Sequence, residues 1–137
     1  MDEPQEHTLE FLIAFDGHIH WYSQGYFTKF EIRRVEPTAE RPHGLRYSFT
    51  VHAPEGTRLM GFDNAHGVAP VGSRFSKRQA EADHWHRTEE DEGRPYVFID
   101  AATLIMDFFA EVARVLKERG IPTNVVETEQ KTERIKP

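Results

Sequence analysis

Between Gly61 and Arg87 the sequence gathers an Asp-Asn pair and three histidines: GFDNAH, sixteen further residues, then DHWHR. Imidazole titrates close to neutral pH, so paired histidines can pass protons to and from a substrate. Neutral imidazole and carboxylate are also common metal ligands. If residues 83–87 are extended, His84 and His86 point to one face, and Asp83, Trp85 and Arg87 to the other. Asp63 and Asn64 end an apolar run, where a strand gives way to a loop and where sheet proteins often carry their chemistry.

Three readings of this cluster stay open. The first is metal-independent RNA cleavage. It needs a base for the 2′-hydroxyl, an acid for the leaving oxygen and cations for the phosphate. Its candidate catalytic residues are His84, His86, Asp63 and His66, and its candidate substrate-binding residues are Arg46, Arg87, Lys29 and Asn64. Histidines two positions apart on one strand form a narrow pair for the two sides of a phosphate, which brings His66 in as a second partner. No cofactor is expected on this reading. The second reading places one divalent metal ion on His84, His86 and Asp63, or on His66 in place of the carboxylate. The third assigns no chemistry: Asp63 and Asn64 cap a turn, and the histidines line a surface that binds protein or nucleic acid. A Ser-His-Asp triad has no support, since no serine sits in a nucleophile turn.

A sheet is needed to hold these groups. Leu9 to Phe15 reads as a buried strand, and Asp16-Gly17 as a two-residue hairpin turn. His18 to Tyr22 would return so that Phe15 faces His18, Ile13 faces His20 and Phe11 faces Tyr22. His18 and His20 form another HxH pair, but against apolar partners, which reads as packing. Tyr26 to Val35 and Leu45 to Ala53 are the next strands, and the second alternates cleanly. Side by side they put Lys29, Arg33, Arg46 and His52 on one solvated face, able to meet an anion or to form ordinary cross-strand charge pairs. Thr57 to Phe62, residues 83–87 and Pro95 to Ile99 complete a meander, the last at an edge. Residues 67–82 lack periodicity, carry Arg74, Lys77 and Arg78, and read as a mobile or ligand-facing loop.

A helix is predicted over 101–119. Asp100 suits its N-cap and Gly120 its C-terminal stop, with Pro122 beyond. Leu104, Ile105, Phe108, Phe109, Val112, Val115 and Leu116 form its apolar stripe. The expected fold class is α+β: a meandering antiparallel β-sheet of about six or seven strands with one C-terminal α-helix packed on one face. Residues 1–8 read as a flexible N-terminus, 9–122 as a single domain, and the polar tail 123–137 as disordered.

The totals narrow the function. A chain of 137 residues is one domain, and without cysteine it has no disulfide, thiolate ligand or Cys nucleophile. It has no apolar run long enough to span a membrane and no signal-peptide pattern, so the cytoplasm is the expected compartment. The formal charge of −6 is unevenly spread: residues 1–25 carry −5, 26–87 carry +3 and 88–137 carry −4. A phosphate-bearing ligand, if the chain has one, belongs to residues 26–87.

The motifs form a recognisable combination. Gly61-Phe62-Asp63-Asn64, Asp83-His84-Trp85-His86-Arg87, Pro95-Tyr96-Val97-Phe98 and Asp107-Phe108-Phe109, preceded by a strand pair with Arg46-Tyr47, resemble the TumE family of bacterial toxin–antitoxin proteins. The resemblance covers about residues 25–120. It implies the toxin-like half of a two-gene module, neutralised by a helix-turn-helix antitoxin that also represses the operon. RNA as a target is inferred from the His cluster and the basic middle, not from the resemblance. A homodimer is compatible with everything above.

Overall fold

The computed structural model describes residues 9–39, 43–64, 83–91 and 93–130. Among these the strands are β1 (His18–Trp21), β2 (Phe27–Arg34), β3 (Leu45–His52), β4 (Arg58–Asp63), β5 (His84–His86), β6 (Arg94–Pro95) and β7 (Glu127–Gln130), with the helix α1 (Ala101–Glu118) between β6 and β7. They form one sheet in the order β6-β5-β4-β3-β2-β1-β7. Every pairing is antiparallel, so the expected α+β meander is what the chain adopts.

Alternation decides which face is dry. Leu45, Tyr47, Phe49 and Val51 of β3 are buried, while Arg46, Ser48, Thr50 and His52 between them are only partly so. Register aligns Phe30 with Phe49 and Ile32 with Tyr47, and Phe49 in turn with Phe62, giving an apolar row across three strands. Phe108 of α1 seats on that row, 5.5 Å from Phe30, 5.5 Å from Phe49 and 6.0 Å from Phe62.

Both ends of α1 are built as the sequence predicts. The Asp100 carboxylate accepts the Thr103 N–H at 2.8 Å. At the other end Gly120 is left-handed, its N–H bonds the Lys117 carbonyl, and the Ile121 N–H reaches back to Leu116 at 2.8 Å. This is a Schellman cap, closed by burial of Ile121. Leu104, Ile105, Phe108, Val112, Val115 and Leu116 are buried, and Phe109 packs partly covered against the core. At about 1.5–3 kcal/mol for each fully buried large side chain, this stripe is what seats the helix.

The first segment departs from expectation. Residues 9–13 are helical, not a strand. Leu12 is completely buried, whereas Glu10 and Phe11 are exposed, a helical rather than alternating pattern. A seven-residue segment with six apolar residues is compatible with either period, and here the core takes Leu12 from a helical turn. Asp16-Gly17 still turns the chain, with the His18 N–H on the Phe15 carbonyl at 2.8 Å, but only Gly17 has positive φ, so no hairpin register follows. Instead the Asp16 carboxylate caps the Ile32 N–H of β2.

Two other expectations change. The closing strand is just Arg94–Pro95, and Val97 and Ile99 beyond it are exposed. The tail expected to be disordered supplies β7, whose side chains are all exposed. Backbone pairing with β1 and a 2.9 Å bond from the Trp21 indole to Glu129 hold it. Residues 1–8, the 67–82 loop with Arg74, Lys77 and Arg78, and 131–137 lie outside the described residues.

Candidate functional site

Phe62 and Trp85 stand opposite each other on β4 and β5, stacked at 5.3 Å on the α1 side. By alternation Asp63, His84 and His86 project from the other face, as DHWHR predicts. Asp63 and His84 are direct register partners, and His86 is opposite Gly61. Their ligand atoms all lie within 4.8 Å of one another. His84 Nε2 is 3.1 Å from Asp63 Oδ1, and His86 Nε2 is 3.6 Å from Asp63 Oδ2.

All three groups are buried, with Asp63 and His84 each 5% and His86 7% exposed. Burial alone would push the Asp63 carboxyl up. The two imidazoles facing it outweigh that and hold it well below the usual carboxylate range, so it is ionised. The His84 contact is within ion-pair distance, and Oδ1 has no hydrogen-bond donor among the described residues.

A turn beyond β5 fixes His86. Its Nδ1–H donates to the Asp91 carbonyl at 2.8 Å. The Asp91 carboxylate accepts the Arg87 and Gly93 N–H groups and the Arg94 guanidinium. Those donors, against a desolvation cost, hold its carboxyl below the ordinary value. Asp91 was not among the candidate residues, although an Asp two before a Gly is a turn signal legible in the sequence.

Lys29, Arg33, Arg46 and His52 share one face of the sheet, and Glu31 lies among them opposite Ser48. Lys29 pairs with Thr50, in the same cross-strand row as Gly61 and His86, and Arg33 stands directly opposite Arg46. Arg46 is two residues along β3 from Ser48, the partner of Asp63, which sets their Cα atoms about 8 Å apart. Like charges directly opposed across strands are destabilising by themselves.

The remaining candidates are placed differently. Asn64 is fully buried, and its amide extends the β3 ladder: Oδ1 accepts the Tyr47 N–H and Nδ2 donates to the Leu45 carbonyl at 2.8 Å. Arg87 sits in a bend after β5, exposed, its backbone held by Asp91 and by Arg114 of α1. His66 lies outside the described residues.

A second cluster, which sequence reasoning missed, forms on the helix side. Asp83 accepts the Tyr47 hydroxyl at 2.6 Å and lies 2.9 Å from His43 Nε2. The Leu45 N–H donates to His43 Nδ1, so Nδ1 carries the lone pair and Nε2 the proton given to Asp83. Burial, then the Asp83 charge, pushes the Tyr47 phenol well up, so it remains a hydroxyl donor. Nothing in the loop sequence around His43 announces a partner 40 positions away.

A model of the family described as Toxin TumE matches residues 4–116. No curated protein and no solved structure matches the chain.

Proposed function

This chain belongs to the Toxin TumE family, and from its buried polar cluster we propose that it acts by cleaving RNA at Asp63, His84 and His86. The family makes it the toxin component of a toxin–antitoxin pair, and so the partner of an antitoxin. We take that antitoxin to be a helix-turn-helix protein and the toxin to work in the cytoplasm. No described helix is long and apolar enough to cross a membrane.

The observation that carries this reading is the convergence of two imidazoles on one buried carboxylate, on the sheet face that also bears Lys29, Arg33 and Arg46. Phosphodiester cleavage needs a group that activates the attacking oxygen and positive charge for the phosphate. The cluster supplies the first, either by proton transfer through His84 and His86 or by ligating a metal ion. Arg46 and Arg33, with Lys29 further along the face, supply the second. Asp63 sets its negative charge beside both imidazoles, and Asn64 fixes the strand end from which Asp63 projects.

The test is cleavage of total cellular RNA by the purified chain, beside His84→Ala/His86→Ala with folding checked by circular dichroism. Cleavage by the wild type and its loss in the folded variant is the expected result. A wild type that cleaves no RNA preparation would transfer the toxicity to binding alone, with the cluster structural.

A further inference from the structure

We propose that Asp63, His84 and His86 form a binding site for one divalent transition-metal ion of the zinc type. This deepens the reading of the cluster as the reacting centre by naming what it holds.

Geometry is the first support. With metal–ligand bonds of about 2.0–2.1 Å, two ligands at a tetrahedral angle stand about 3.3 Å apart. Asp63 Oδ1 lies 3.1 Å from His84 Nε2 and Oδ2 3.6 Å from His86 Nε2, and one ligand atom from each of the three residues lies within 4.8 Å of the others. Two histidines at alternate positions of one strand, with a carboxylate paired across from the next, need no loop movement to meet. Two nitrogens and one oxygen suit zinc, cobalt or nickel better than magnesium or calcium, which favour oxygen alone.

The direction of the donors is the second support. Because His86 Nδ1–H is given to the Asp91 carbonyl, Nε2 is the ring nitrogen left to face Asp63. The 3.6 Å separation is longer than the roughly 2.7–2.9 Å of a charge-assisted hydrogen bond, so a shared proton fits the gap poorly. Donation of the remote ring nitrogen to a backbone carbonyl is also how metal-bound histidines are usually held.

The third support is the buried Asp63 Oδ1, which has no hydrogen-bond donor among the described residues. A buried carboxylate oxygen left that way is costly, and a cation in the cluster would satisfy it. The other HxH pair also has a buried atom without a partner, His20 Nδ1, but it has no carboxylate beside it among the described residues. His20 is enclosed by the rings of Phe15, Phe30 and Phe109. Three protein ligands leave a coordination position for water or substrate, and a metal there would acidify bound water and polarise a phosphoryl oxygen.

The test uses tag-free full-length chain, stripped with EDTA and desalted, titrated with ZnCl2 by calorimetry and with CoCl2 by visible absorption, without RNA. One ion per chain is expected, with d–d bands of a low-coordinate nitrogen–oxygen site. Asp63→Asn and His86→Ala should each weaken binding by about 100-fold or more, while His20→Phe should leave it unchanged. A zinc-induced rise in Tm in the wild type, absent in whichever of the two site variants folds, is a second expected signature. Wild-type chain that takes up no stoichiometric metal, or site variants that bind it as well as the wild type, would overturn the assignment. RNA cleavage that persists in EDTA in that event would leave the proposed function standing on proton transfer alone.

Discussion

Asp83 and His84 are consecutive in the chain, yet they belong to polar clusters on opposite faces of the sheet. Asp83 joins His43 and Tyr47 on the α1 side, and His84 joins Asp63 and His86 on the other. Both clusters pair imidazole with a buried carboxylate. They differ in satisfaction. Asp83 receives a phenol and an imidazole proton in good geometry, whereas Asp63 keeps one oxygen without a donor. A complete network reads as a structural tie between β3 and the start of β5, and an incomplete one as a place for something to bind.

Tyr47→Phe therefore should destabilise the fold without touching the chemistry. The hydroxyl it deletes donates to buried Asp83 at 2.6 Å, and a buried acceptor deprived of its donor costs about 1–3 kcal/mol. Urea denaturation would show the loss, while zinc affinity of the folded fraction should be unchanged. A fall in zinc affinity to match the stability loss would mean that the two clusters are coupled through β5.

Asn64→Asp should cost a similar amount for a different reason. The amide both accepts from Tyr47 N–H and donates to the Leu45 carbonyl, and a carboxylate cannot donate. A loss of about 1–3 kcal/mol in urea is expected, and unchanged urea stability would mean that the donation to the Leu45 carbonyl contributes nothing.

Arg33→Gln should move stability and RNA binding in opposite directions. Removing one of two arginines directly opposed across β2 and β3 should raise stability by a few tenths of a kcal/mol. Arg46 makes further contacts, so Arg33 is the cleaner position to change. If it meets phosphate, RNA affinity should fall and the slope of log K against log salt should drop by about 0.7. An unchanged salt slope would remove Arg33 from the binding face.

His20→Phe should flatten the acid side of the stability profile. Burial first, and the neighbouring His18 second, lower the proton affinity of His20 in the fold, and its Nδ1 is buried without a partner. The unfolded chain then binds the proton more readily, so stability rises with pH through the window at and below the ordinary value of 6.5, and is lost as pH falls. Phe15, Phe30 and Phe109 surround the ring, and His18 is the titratable group facing it. Denaturant midpoints measured on either side of that window should differ less in the variant than in the wild type. An equal difference would show that His20 does not contribute.

The parts legible in the sequence are those whose physics is local. Leu45 to His52 alternates because one face of β3 is dry, and α1 repeats at helical spacing between an Asp cap and a Gly stop, so both could be read directly. The HxH spacing told which side chains of β5 share a face, and the register then brought Asp63 to them. Leu9 to Phe15 failed because six apolar residues broken only by Glu10 carry no decisive period. β7 was invisible because Glu127–Gln130 buries nothing and pairs through backbone groups that every sequence has. The His43–Asp83 contact was hidden because the two residues meet only once the sheet has folded.

The strict alternation along β3 has a consequence for how such a protein can change. Leu45, Tyr47, Phe49 and Val51 carry the folding free energy, while Arg46, Ser48 and Thr50, interleaved with them, look the other way. A lineage can therefore redraw the outward rows residue by residue, altering what it grips, without reopening the packing beneath. One layer of backbone insulates the protein's persistence from its choice of target.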